Sequence, residues 1–125
     1  MSTFTDQSIL SFPSPGVRRY MVTGPVDLLV GGEARVPFRV AYLRMHFTRA
    51  SGLADVVLSL DSVAGDEYDV LLYTEEDCGL GADLNLNLRA GQGDYAWSFA
   101  VGDRLRIVWN GPAAAVSGIE VGYLT

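Results

Sequence analysis

Residues 94–125 read DYAWSFAVGDRLRIVWNGPAAAVSGIEVGYLT, and their alternation of apolar and polar side chains decides the fold class. Every second residue is apolar in three successive runs: Tyr95, Trp97 and Phe99, then Leu105, Ile107 and Trp109, then Ile119, Val121 and Tyr123. Turn-forming residues separate these runs at 102–103 and at 110–112. A two-residue period is typical of an antiparallel strand with one face on the core and the other in water. The stretch therefore predicts three strands.

The same period runs through most of the preceding sequence. Residues 82–89 (ADLNLNLR) alternate strictly, with the leucines on one face and the polar side chains on the other. Residues 67–75 (EYDVLLYTE) align Tyr68, Val70 and Leu72 on a shared face. These runs predict further half-buried strands.

Two segments depart from a simple alternation. In the long run 36–47 (VPFRVAYLRMHF) the phase slips by one residue near Ala41, which predicts a β-bulge. In residues 74–83 (TEEDCGLGAD), Thr74 is suited to cap one helical turn. The whole pattern gives about eight or nine short strands with turn signals roughly every 8–14 residues. We therefore predict an all-β fold, an antiparallel β-sandwich that is jelly-roll-like.

The first residues differ in composition from the rest of the 125-residue chain, whose length suits one domain. Residues 1–16 (MSTFTDQSILSFPSPG) are rich in Ser, Thr and Pro and carry Phe4, Ile9, Leu10 and Phe12. A solvated tail has little reason to carry four such apolar side chains. We interpret 1–16 as an extended N-terminal arm that docks on a neighbouring subunit, and 17–125 as a single β-sandwich domain. A frayed terminus is the alternative.

Charge and composition disfavour several kinds of partner. The formal net charge is −6, and an acidic surface repels both nucleic acid and anionic membranes. The nine basic residues are all arginine, whose planar guanidinium suits protein interfaces. The N-terminal sequence has neither a basic region nor a long apolar run, so we expect no signal peptide. We therefore expect no nucleic-acid and no membrane partner.

Catalytic chemistry has few candidate residues, because the chain contains one histidine and one cysteine. His46 lies out of phase with Met45 and Phe47, so we expect it to face solvent or an interface. A Cys78–His46 dyad is conceivable, but the acidic residues beside Cys78 would raise the pKa of its thiol. One histidine and one cysteine form no zinc cage unless carboxylates complete it, and we interpret the acidic clusters as a solvated rim. We therefore expect no enzyme, no metal and no cofactor.

The C-terminal third resembles a known class of protein. ADLNLNL (82–88), WSFAVGDRLRIVWN (97–110) and GIEVGYL (118–124) occur in this order. They resemble small tailed-phage virion proteins, in which a strand, a Gly-Asp turn, an L-x-I-x-W strand and a closing G-[IL]-E-[VL] strand follow one another. The resemblance implies a capsid decoration, head-spike or tail-associated module that is oligomeric, often trimeric, and has no active site. Residues 110–120 depart from the pattern, which leaves the subtype open.

On this basis we expect a non-enzymatic structural protein of the virion, assembled in the host cytoplasm and bound to the particle exterior. The expected partners are copies of the chain itself, with a trimer favoured, and the major capsid protein or other virion proteins. The candidate interface residues are Phe4, Ile9, Leu10, Phe12, Arg18, Arg19, Glu75, Glu76 and Asp77.

A glycan-binding jelly-roll module, or a tail-associated adhesion protein, is the alternative function. Such a module needs an exposed aromatic platform. Trp97 and Trp109 fall in phase with apolar neighbours, so we expect both in the core. The platform would then have to come from tyrosines, with Tyr42, Tyr73 and Tyr123 as the candidates.

Overall fold

The computed structural model describes residues 16–48, 53–79, 83–88, 97–113 and 115–124. A short 3₁₀ helix, Asp66–Tyr68, lies between two of the strands. The strands in these ranges are β1 (Gly16–Thr23), β2 (Val26–Val30), β3 (Phe38–Thr48), β4 (Leu53–Asp61), β5 (Val70–Gly79), β6 (Asp83–Asn87), β7 (Trp97–Phe99), β8 (Arg104–Trp109) and β9 (Val116–Leu124). None of the described residues forms a helix that could cross a bilayer.

The strands form two antiparallel sheets that pack face to face. In the first sheet the order is β1-β9-β3-β6, with β7 also paired to β3; in the second it is β2-β8-β4-β5. The chain crosses from one sheet to the other at every connection except β4–β5 and β6–β7. Two packed sheets with these strand orders and crossings form a jelly roll. It is one of the architectures in which antiparallel sheets limit their exposed edges. The predicted sandwich is confirmed.

β6 and β7 behave as two parts of one interrupted strand. β6 pairs with β3 as far as Asn87 opposite Tyr42. β7 then continues along the same side of β3, with Trp97 opposite Val40. The end of β6 and the start of β7 therefore lie close together along the same side of β3.

The core lies between the sheets and contains the apolar members of the C-terminal runs. Leu105, Ile107 and Trp109 have no exposed surface, and Tyr123 retains 4%. The Trp109 ring packs on Phe47 of the opposite sheet with ring centroids 4.6 Å apart. Its Nε1 donates to the carbonyl oxygens of Ala54 and Cys78, at 3.1 and 3.0 Å. Trp109 is buried as predicted, while Trp97 is half-buried at the edge of the core.

The bulge predicted near Ala41 is confirmed. The pairing of β3 with β9 shifts by one residue between Val40 and Tyr42. Because of this shift, Val40 and Leu43 both point into the core and both are fully buried. The carbonyl of Ala41 instead accepts a hydrogen bond from the Leu88 backbone at 2.8 Å.

Two local expectations are wrong. Residues 74–79 form the end of β5 rather than a helical turn, because β4 pairs with them as far as Gly79. Tyr68 and Val70 do not face the core with Leu72 but are 60% and 51% exposed. Tyr68 belongs to the 3₁₀ helix, and the β4–β5 register shifts after Leu58, which breaks the simple two-residue phase.

Candidate binding site on the outer face of the first sheet

The outward side chains of the first sheet line up in rows across four strands. Strand pairing places Arg19 of β1 opposite Glu120 of β9, Glu120 opposite Arg44 of β3, and Arg44 opposite Asn85 of β6. In the adjacent row, Gly118 of β9 lies opposite His46 of β3, which lies opposite Asp83 of β6. An open cleft of about 340 Å³ runs over these rows. We call it the trough, defined by Arg19, Arg44, His46, Asp83, Asn85 and Glu120 around Gly118.

Two glycines of β9 shape this face in different ways. A Cβ added at Gly118 would meet no atom within 4 Å, so the trough is open there because a side chain is missing. A Cβ added at Gly122 would lie 2.0 Å from Cε2 of Tyr42, since the tyrosine ring already covers that position. In the sequence GIEVG (118–122), Gly118 thus leaves space at one end of the trough, and Gly122 makes room for the ring of Tyr42.

Glu120 is the electrostatic centre of the trough. Tyr42 Oη donates to Glu120 Oε2 at 2.6 Å, and the guanidinium groups of Arg19 and Arg44 lie 3.6 and 3.7 Å from its carboxylate. The hydrogen bond from Tyr42 lowers the pKa of Glu120, with a smaller contribution from the two arginines, against an opposing effect of burial. Burial, followed by the neighbouring Glu120, raises the pKa of Tyr42. The carboxylate is therefore ionised and the phenol protonated at neutral pH.

The arginine beside Glu120 is also held in place by an aromatic ring. The guanidinium carbon of Arg44 lies 4.7 Å from the ring centroid of Tyr42, within the range of a cation–π interaction. A single tyrosine thus orients both a carboxylate and a guanidinium on this face.

His46 faces solvent, as predicted from its phase. Its side chain is 56% exposed, and Nδ1 is hydrogen-bonded to Asp83 Oδ1. Cys78 lies on β5 of the second sheet with its side chain in the core, and its thiol donates to the carbonyl of Glu75. Burial and then Glu75 raise the pKa of the thiol, in the direction expected from the sequence. His46 thus lies on the outer face of the first sheet and Cys78 in the core on the second sheet, so they form no nucleophile–base pair.

The predicted interface residues fall at two separate edges. Arg18 is 6% exposed and ion-paired with Glu33 at 2.7 Å, while the neighbouring Arg19 is 74% exposed at the trough. Both lie on β1 at one edge of the first sheet, and Phe4, Ile9, Leu10 and Phe12 lie outside the described residues.

The acidic group lies on β5, at the opposite edge of the sandwich. Glu76 and Asp77 are exposed there. Glu75 is half-buried and accepts a hydrogen bond from the hydroxyl of Tyr73. The structure therefore does not bring the acidic group together with the arginines of β1.

Three carboxylates outside the trough also lie close together. Oxygen atoms of Asp61, Asp66 and Asp69 are within 4.8 Å of one another. Asp61 is paired with Arg104, and Asp69 accepts a hydrogen bond from the Ser62 backbone at 2.7 Å. The first of these contacts links β4 to β8, and the second holds together the two ends of the loop between β4 and β5.

Sequence reasoning missed most of the trough. Arg44, Asn85 and Glu120 were not singled out, although the strict alternation of 82–89 already placed Asn85 on the outer face. What brings them together is the register of β1, β9, β3 and β6, which alternation alone does not give. No protein-family model matches the chain, and no curated protein matches it either.

Proposed function

We propose that the chain is a non-enzymatic structural protein of a tailed-phage or phage-like particle, an oligomeric capsid-decoration or head-spike component on the particle exterior. The resemblance of residues 82–124 to small virion proteins supports this proposal. The jelly roll supports it at the level of fold, because this architecture recurs in viral capsid domains.

The observation that carries the proposal is the apolar edge strand β1. It pairs with β9 on one side and lies at the end of its sheet. Its outward residues include Val17, 40% exposed, and Met21, 79% exposed. An edge strand with exposed apolar side chains is a favourable surface for association with another chain. β1 also follows directly on the predicted arm, so an arm contact and a strand contact would form one continuous interface.

A second apolar edge lies on the other side of the sandwich. Val70 and Leu71, at the start of β5, are 51% and 64% exposed, and Tyr68, just before it, is 60% exposed. β5 is an edge strand of the second sheet. Two unlike apolar edges suit a head-to-tail contact between subunits, and contacts of this kind close into rings. A cyclic trimer, with β1 of one subunit near β5 of the next, agrees with this arrangement.

Native mass spectrometry tests the assembly. We expect a trimer for the full chain, and dissociation towards monomers for Met21→Lys and for Leu71→Lys, because each places a charge in an apolar contact. Val101→Lys is the matched control, since Val101 is also exposed, at 48%, but lies in the β7–β8 turn. A chain that is monomeric at all concentrations would contradict the proposal.

The particle partner is tested by co-expression with the products of the flanking genes. We expect the chain to co-purify with a capsid or other virion protein, and removal of residues 1–15 to weaken that association. Co-purification that is unchanged by the truncation would exclude the arm as the attachment.

Glycan binding, alone or as part of a tail-associated adhesion protein, is the second candidate function. The trough is the observation that favours it. The three candidate platform tyrosines favour it less, because Tyr123 is buried and Tyr42 and Tyr73 are half-buried. Recognition would therefore depend on polar side chains.

A further inference from the structure

We propose that the trough is a binding site for a neutral saccharide, recognised by hydrogen bonds to its hydroxyl groups. This inference gives the second candidate function a site and a ligand class. It does not depend on the oligomeric structural role.

The charge of the trough selects against ions. Arg19 and Arg44 are balanced by Glu120 and Asp83, so the formal charges of these four residues cancel. A phosphate or another anion would approach both carboxylates, and a cation would approach both guanidinium groups. A neutral ligand is repelled by neither pair of charges.

The polar groups of the trough alternate between donors and acceptors. Arginine only donates and an ionised carboxylate only accepts, while the amide of Asn85 does both. Asn85 is exposed at the end of the arginine row, opposite Arg44, with no hydrogen bond to its side chain from the described residues. A hydroxyl group also donates and accepts, so neighbouring hydroxyls of a sugar match such a surface better than an apolar ligand does.

The central groups are positioned before any ligand arrives. Tyr42 holds the Glu120 carboxylate by a 2.6 Å hydrogen bond and lies against the guanidinium of Arg44. Side chains that are already ordered lose less conformational freedom on binding, which favours affinity. The lowered pKa of Glu120 keeps it an acceptor across the neutral range.

Space and composition also suit a small polar ligand better than a protein. The cleft of about 340 Å³ lies in the range of small-molecule sites, roughly 300–1,000 Å³. Protein interfaces are depleted of Glu and Asp, whereas the trough has the Glu120 carboxylate at its centre and Asp83 beside it. Met21, which is proposed for subunit association, lies on β1 opposite Gly118 at the margin of the trough and does not line it.

Gly118→Val is the decisive variant. The added side chain would fill the trough where Gly118 leaves it open, and its Cβ would meet no protein atom within 4 Å. A β-branched residue is also favourable in a strand, so this variant should fold. Thr74→Val is the matched control, because it introduces the same side chain at an exposed position of β5 in the other sheet.

The experiment screens the full chain on an array of neutral and acidic oligosaccharides and then measures affinity by titration calorimetry with the best neutral one. We expect Gly118→Val to weaken binding at least about tenfold and Asn85→Ala roughly five- to tenfold. Thr74→Val should bind like the unmodified chain. Thermal unfolding of Gly118→Val checks that the fold is retained.

Four results would overturn the proposal. Binding that survives Gly118→Val would place the saccharide elsewhere, and binding of acidic oligosaccharides alone would refute the neutral ligand class. The absence of binding to any oligosaccharide on the array would refute the site. A change of native mass in Gly118→Val that accompanies the loss of binding would identify the trough as a contact between copies of the chain. Oligomer formation is measured separately, so failure of this inference is distinguishable from failure of the proposed structural function.

Discussion

Neighbouring residues of a strand face opposite ways, and Arg18 and Arg19 show how much this matters. The sequence predicts both for an interface, yet one is buried against Glu33 and the other is exposed at the trough. An arginine pair in a strand therefore does not form one charged patch. The alternation that predicted the core also predicts this separation, provided that it is applied to charged residues as strictly as to apolar ones.

The two glycines of β9 should respond oppositely to the same substitution. Gly118→Ala should leave stability unchanged or raise it by about 0.5–1 kcal/mol, because Gly is unfavourable within a strand and the added methyl meets open space. Gly122→Ala should lower stability by about 1–3 kcal/mol, since the methyl displaces the Tyr42 ring. Urea unfolding of both variants measures the difference. Equal effects would show that the Tyr42 ring does not occupy the position described.

The hydrogen bond between Tyr42 and Glu120 should make stability depend on pH in acid. The folded-state pKa of Glu120 lies below its unfolded value, so its stabilising contribution is present above the unfolded pKa, roughly 4.3. That contribution is lost as the pH falls through the lower, folded pKa. Tyr42→Phe should therefore cost about 1 kcal/mol at pH 7 and progressively less below pH ~4. Chemical unfolding from pH 2 to 7 measures this, and a pH-independent loss would contradict it.

At the scale of the strands, β3 organises the first sheet. It pairs with β9 along one side and with β6 and β7 along the other. Its single extra residue at the bulge keeps two apolar sets, one on each side of Ala41, directed into the same core. The sequence predicted this bulge because a change of phase within one continuous apolar run has no other simple explanation.

Deletion of Ala41 tests the bulge. Without the extra residue, either Phe38 and Val40 or the set from Leu43 to Phe47 must turn to the outer face, because a one-residue slip reverses every side chain. We expect the deletion variant to lose its cooperative unfolding transition, as measured by circular dichroism. Ala41→Gly keeps the residue count and should cost only about 0.5–1 kcal/mol. A stably folded deletion variant would exclude the bulge as a requirement of the fold.

For the molecule as a whole, the sequence predicted the layers but not the order of the strands. Alternation identifies which residues point inward, and Leu105, Ile107 and Trp109 do so as expected. The trough, by contrast, is assembled from Arg19, Arg44, Asn85 and Glu120, which come from four different strands. Their proximity follows from long-range pairing, and a local pattern carries no information about pairing partners.

The interrupted strand formed by β6 and β7 has an engineering consequence. Because β6 ends opposite Tyr42 and β7 begins opposite Val40, pairing with β3 holds the two strand ends close together independently of the length of the connection. We therefore expect that foreign epitopes or affinity tags of varied size can be inserted between β6 and β7, because both strands would still pair with β3. If copies of the chain assemble as proposed, each copy would offer one such position for multivalent display.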